Sequence, residues 1–227
     1  MLVWFDIETT GLDFDKDEFR CGVVEDEAGV VTVFTDAPAM ASHLLALGAT
    51  CVTFNGAAFD FPFLAAKMAS PFERAQLAQM TSSSIDIMFD FLCHHGYRAS
   101  MNSFGTALGT EKTWDGASAA VSQDLPAIIE YCKADVALLR RVYEVGVAEK
   151  KLSRVSVKQR KSTWALPQDG AFRTVAVALA DVTRAPPDQS WMTEPTDITS
   201  TLAWVGRALS EAMQSPPQAG HRTSTPP

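Results

Sequence analysis

The chain has 227 residues, 47% of them hydrophobic and 20% charged, which suits one well-packed core with a small appendage and excludes a disordered or fibrous protein. Its net charge of −8, from 27 acidic and 19 basic residues, excludes a broad basic surface gripping duplex nucleic acid, though not nucleic acid held locally through metal ions. No apolar run approaches the ~20 residues of a membrane span, and the chain enters a strand at once without a basic-then-apolar leader pattern, so it reads as cytoplasmic.

Val3-Trp4-Phe5-Asp6-Ile7-Glu8-Thr9-Thr10-Gly11 has the nearly continuous apolar character of a buried strand. Two carboxylates interrupt it. Side chains alternate along a strand, so Asp6 and Glu8 point the same way. Like charges side by side at the end of an apolar strand need a proton or a cation, and a divalent metal is the economical answer. Residues 12–18 form a polar loop. Residues 19–25 and 30–34 read as two further strands joined by a hairpin turn. Asp36 caps a helix over 39–47 that Gly48 ends, and residues 50–54 make a fourth strand.

The Asn55-Gly56 turn and a helix over 61–68 follow, which places Asp60 near the carboxyl-end rim of the sheet, where ligands of open α/β sheets collect. Complementing the helix dipole is the other role open to Asp60. Residues 84–90 read as a short strand running into a helix that ends at Gly96, with Asp86 a candidate outer carboxylate. A short helix over 101–108 leads into a loop that carries Lys112.

Asp124 and Pro126 open the clearest helical pattern, over 125–151, in which Tyr131 and Asp135 are four apart and so share one side. Beyond Leu152 the pattern weakens. Residues 155–157 and 174–182 suit a strand or a helix, and 184–188 a linker. Asp197 caps a last helix striped by Leu202, Val205, Leu209 and Met213. Lys150, Lys151, Arg154, Lys158, Arg160 and Lys161, with no acidic residue among them, form a solvated face or a phosphate contact. Residues 215–227 are proline-rich and read as a disordered tail. Cys21, Cys51, Cys93 and Cys132 are widely spaced and read as buried thiols of a reducing compartment.

Gathered on one rim, Asp6, Glu8, Asp60 and Asp135 carry a formal charge near −4 that bound cations must offset. Hard oxygen ligands select Mg²⁺ or Mn²⁺, and two such ions ~3.5–4 Å apart suit a phosphodiester displacement. At this point the sequence resembles a family. Phe5-Asp6-Ile7-Glu8-Thr9-Thr10-Gly11, then Asn55-Gly56-x-x-Phe59-Asp60 with Leu64 after it, then Tyr131-x-x-x-Asp135 match in order the three motifs of the DEDD (DnaQ-like) 3′–5′ exonuclease superfamily. Tyr131 places the chain in the DEDDy branch, similar to predicted ribonuclease H-like exonucleases.

The resemblance covers residues 1–152, which it implies are a ribonuclease H-like domain: a central five-stranded mixed sheet, second strand antiparallel, flanked by helices. Residues 153–214 are left as a C-terminal extension. It also implies that Asp6 bridges two Mg²⁺ or Mn²⁺ ions, that Glu8 and Asp135 hold the water-activating ion, that Asp60 completes the second site, and that Tyr131 orients or deprotonates the water. The substrate is then the 3′ end of single-stranded DNA or RNA, contacted by Thr9, by Leu12 and Phe59 as a wedge or stack, with core packing the other role open to Phe59, and by Lys112 at a phosphate. Asn55 contacts the terminal sugar or simply makes the turn. A polymerase or helicase is the implied partner. The alternative is a catalytically silent binding module of such an assembly, against which stands the presence of all five motif residues.

Overall fold

The structure, a computed structural model, describes residues 1–110 and 122–215. The sequence expectations for Lys112 and for residues 216–227 lie outside these. Strands β1 (Leu2–Thr9), β2 (Phe19–Asp26) and β3 (Val31–Phe34) run consecutively, followed by helix α1 (Ala37–Leu47) and β4 (Thr50–Thr53). Helices α2 (Asp60–Lys67) and α3 (Pro71–Ser83), the two-residue strand β5 (Ile85–Asp86), and helices α4 (Ile87–His95) and α5 (Met101–Ala107) follow. Helix α6 (Leu125–Glu149) is the longest described, and leads into the hairpin β6 (Lys151–Val155) and β7 (Lys161–Ala165). A single turn α7 (Pro167–Gly170), helix α8 (Val175–Arg184), a 3-10 turn (Thr199–Leu202) and α9 (Ala203–Gln214) complete the described chain.

The sheet order is β3-β2-β1-β4-β5, with β2 antiparallel to β1 and β3, and β4 parallel to β1 and β5. This is the ribonuclease H-like mixed sheet that the motifs implied. Period-two alternation along β1 divides the core. Val3, Phe5 and Ile7 pack with Met40 and Leu44 of α1 and Phe61 of α2, the Phe5 and Phe61 rings meeting edge to face at 5.1 Å. Trp4 points to the opposite face, among Ile128, Cys132, Val136 and Leu139 of α6. Asp6 and Glu8 share the parity of Trp4 and so lie on the α6 side. Among the described residues no helix is long and apolar enough to cross a membrane.

Several elements differ from expectation. Only Ile85–Asp86 is strand, because Asp86 caps α4 at once by accepting from the Phe89 amide at 2.9 Å. Helix α3 was not foreseen, although Ser70 and Pro71 make a legible start: the Ser70 hydroxyl accepts from the Glu73 amide at 3.4 Å. The basic stretch from Lys150 is mostly a hairpin whose cations line its exposed edges, with Arg154 laid over the Phe91 and Tyr97 rings at 5.4 and 5.1 Å. Residues 175–184 resolve to helix. On α9 the expected stripe is buried only at its start: Leu209 is 40% and Met213 87% exposed, because Trp204 and Ala208 turn inward and Arg74 of α3 meets Glu211 at 3.4 Å.

Candidate active site

Each motif side chain is delivered by an element with a physical reason for its place. Asp6 and Glu8 stand on β1, where the ladder to β2 shifts register between Glu8 and Thr9. Beyond that bulge the chain leaves the sheet, with the Thr9 hydroxyl donating to the Gly11 carbonyl at 2.6 Å and Leu12 left 80% exposed. On α6, Tyr131 and Asp135 are both on the buried face, one turn apart, against the same side of β1.

The Asn55–Phe59 turn is more elaborate. Asn55 has φ 73°, a left-handed conformation that asparagine tolerates, and its carbonyl accepts from the Ala58 and Phe59 amides at 3.1 and 3.0 Å. Its side-chain Oδ1 accepts from Arg98 Nη1 at 3.2 Å. A Cβ on Gly56 would stand 2.6 Å from Thr53 Cβ, so glycine is required there. Asp86 holds the turn from beneath, accepting from the Asn55 and Ala57 amides at 2.9 and 2.8 Å. With three backbone amides on its buried carboxylate, Asp86 is an internal anchor rather than the outer carboxylate expected of it. The turn releases the chain into α2, whose first residue is Asp60; Phe59 packs half-buried between Phe14 and Phe63, at 5.9 Å from each.

Asp60 is 3% exposed, and its Oδ2 is a buried atom with no hydrogen-bond partner. Burial first, then the charges of Asp6, Asp86 and Glu8, push its carboxyl well above the usual range. Asp6, Glu8 and Cys132 offer ligand atoms that all lie within 4.8 Å of one another. Burial also pushes the Cys132 thiol up, and its Sγ lies 3.4 Å from the Asp6 carbonyl oxygen as a donor, so it is not a thiolate ligand. Tyr131 is likewise pushed up, by burial and then by Asp135 and Glu8, and is hydrogen-bonded to Asp135. The structure thus brings the acids Asp6, Glu8 and Asp60 within electrostatic reach of one another, and Tyr131 within reach of Asp135, Glu8 and Asp6. Hard carboxylate oxygens, one of them without an internal partner, fit a hard divalent cation.

Sequence reasoning gave no role at the site to two contributors: Arg98, bonded to Asn55, and Trp204, whose Nε1 donates to the Ala57 carbonyl at 2.9 Å from 147 residues away. The Asn55-Gly56 turn was legible, but neither partner's distance along the chain leaves a sequence signal.

Comparison with known proteins places these features in context. The model of a family described as the RNase H superfamily matches residues 3–125, a span that includes Asp6, Glu8 and Asp60 and stops short of Tyr131 and Asp135. No curated protein matches the sequence. Among solved structures, the chain is similar to an exonuclease I at 11% identity, covering 96% of this chain and 74% of that one with a TM-score of 0.39. It is similar also to E. coli exonuclease I in complex with a dA16 oligonucleotide, at 11% identity, 96% and 75% coverage and a TM-score of 0.36. A product-bound exonuclease I matches at 12% identity, 93% and 72% coverage and a TM-score of 0.35. Likeness of this degree carries nothing about substrate or direction.

Proposed function

The chain belongs to the RNase H superfamily, and from that premise we propose that it is a metal-dependent 3′–5′ exonuclease of the DEDDy type, acting on the 3′ end of single-stranded nucleic acid. The observation that carries the reading is the orphaned Oδ2 of buried Asp60, with the acids Asp6 and Glu8 in electrostatic reach of it. Asp6, Glu8, Asp60 and Asp135 would hold two Mg²⁺ or Mn²⁺ ions. Such ions, when bound, supply Lewis-acid stabilisation of phosphoryl oxygens and lower the pKa of water.

The remaining work falls to the chain itself. Tyr131, held protonated by its surroundings and bonded to Asp135, is a positioning donor rather than a base. The Asn55–Phe59 turn, anchored by Asp86, fixes the entry of α2 and so the place of Asp60. Exposed Leu12 and half-buried Phe59 flank the terminal base, and Thr9 and Lys112 complete the substrate contacts. Four buried thiols suit a cytoplasmic setting, and a polymerase or helicase is the partner proposed for the whole.

The test is degradation of 5′-labelled single-stranded DNA and RNA with Mg²⁺ or Mn²⁺, wild type beside Asp6→Ala. A ladder from the 3′ end, abolished by EDTA and by the substitution, is expected. Intact substrate from folded wild type overturns catalysis and leaves a binding module.

A further inference from the structure

The C-terminal segment closes a cleft against the back of the Asn55–Phe59 turn. The cleft has a volume of about 470 Å³ and is lined by Phe14, Ala58 and Arg98 together with Ser200, Trp204 and Arg207. That volume lies in the ~300–1,000 Å³ range of clefts that hold small ligands. Its place in the chain and two hydrogen bonds tie it to the candidate active site. Ala58 lies two residues before Asp60, Arg98 Nη1 donates to Asn55 Oδ1 at 3.2 Å, and Trp204 Nε1 donates to the Ala57 carbonyl at 2.9 Å. The Phe14 ring stands 5.9 Å from that of Phe59.

The chemistry of the lining is unlike that of the rest of the rim. Arg98 and Arg207 are both exposed cations in a chain of net charge −8. The acid in the same lining, Asp197, is engaged: its Oδ1 accepts from the Thr199 and Ser200 amides, each at 3.1 Å, and from the Thr199 hydroxyl at 2.8 Å. Two guanidinium groups next to two half-buried aromatic rings match a ligand with repeated negative charge and flat faces free to stack. A duplex, whose bases are already stacked and paired, offers no such faces.

On the nuclease reading above, we propose that this cleft binds the nucleotides immediately 5′ of the terminal one, with Arg98 and Arg207 on their phosphates and Phe14 and Trp204 against a base. Residues 196–207 are then part of the substrate site, and the extension that lacks a counterpart in the motifs is the outer wall of the path along which the strand enters.

Fluorescence anisotropy of 5′-labelled oligothymidylates, with Ca²⁺ in place of Mg²⁺ and the full chain, tests this. The wild type is expected to bind a twelve-nucleotide probe more tightly than a dinucleotide. The Arg98→Ala/Arg207→Ala variant loses about tenfold in affinity for the long probe, and its log–log salt slope becomes shallower by about 1.4, at ~0.7 per phosphate for single strands. Arg98→Lys/Arg207→Lys restores most of the charge-dependent part. Unchanged affinity and slope in the alanine variant, with an unchanged melting temperature, overturn the proposal, as does a wild type that binds both probes alike. Binding that depends on the two arginines in a protein that hydrolyses nothing with Mg²⁺ or Mn²⁺ sinks the nuclease reading alone. Hydrolysis in a protein whose binding ignores the arginines sinks the cleft alone.

Discussion

Asp60, Asp86 and Asp90 are exposed by 3%, 1% and 0%, yet the fold answers them differently. Asp86 accepts from three backbone amides. Asp90 is met by Arg173, whose backbone amide and Nε donate to its carboxylate at 3.0 and 2.6 Å while Nη2 reaches its carbonyl at 3.2 Å. Burial pushes the Asp90 carboxyl up to about 6, and the adjacent guanidinium holds it from going higher. Asp60 has an oxygen without a partner and acids around it. A buried acid that serves the fold is satisfied from within; on the proposed reading, the one left open among like charges is reserved for a cation from outside.

The largest expected effect breaks this contrast at its open end. Asp60→Asn should lower nuclease activity by about 10²–10⁴-fold. The same change should leave stability equal or raise it by about 1 kcal/mol, because it removes a buried acid from a repelling group. Mg²⁺ at a hundred times its Kd should stabilise the wild type by about 2.7 kcal/mol, a shift that Asp60→Asn reduces. Calorimetry with and without Mg²⁺ reads both, and a variant that melts well below the metal-free wild type would assign Asp60 to the fold.

Asp90→Ala tests the satisfied end. It removes the buried counter-charge of the Arg173 guanidinium, 6% exposed, and should cost about 3–5 kcal/mol in urea unfolding. Arg173 also binds Asp181 at 3.0 Å, so this pair fastens α8 to α4. Asp86→Ala comes next, at about 2 kcal/mol for a lost helix cap and two lost turn contacts. It should depress activity as well, since the turn that carries Asp60 loosens; full activity in a destabilised Asp86→Ala would separate the anchor from the site.

What the sequence made legible follows from periodicity. Period two put Asp6 and Glu8 on one face of β1, and period 3.6 put Tyr131 and Asp135 on one side of α6. The β2–β3 hairpin was legible from its turn, whereas the antiparallel run of β2 against β1 came only from the family resemblance. Asp86 was misassigned because its Asn55 and Ala57 partners lie 31 and 29 residues away, a distance at which a carboxylate bound to amides and one bound to metal look alike in sequence. Helix α3 escaped notice because it buries only Leu77, Ala78 and Thr81, too few to make a stripe. The inward turn of Trp204 on α9 depends on a carbonyl 147 residues back, and no local pattern encodes it.

His95 sharpens the comparison from the basic side. Its Nε2 is also buried without a partner, under a ring 4.3 Å from Phe91. Burial, with His94 and Arg154 adding to it, pushes its pKa down to about 4, against about 6.5 when unfolded. Between those values the unfolded chain takes up a proton that the folded one refuses. Stability is therefore fully present above about pH 6.5 and falls as pH drops toward 4. The loss is about 1 kcal/mol after discounting for the part of the ring that solvent reaches. His95→Phe keeps the contact with Phe91 and should flatten this segment of the stability curve; parallel curves for variant and wild type would trace the acid loss to other groups. His95 escapes its burial by giving up one proton and needs no ligand. Asp60 has Asp6, Asp86 and Glu8 in electrostatic reach, so its charge is tied to theirs. On the proposed reading, an orphaned buried atom marks a ligand site where the charge is shared among neighbours, and only a packing cost where a single group can shed it alone.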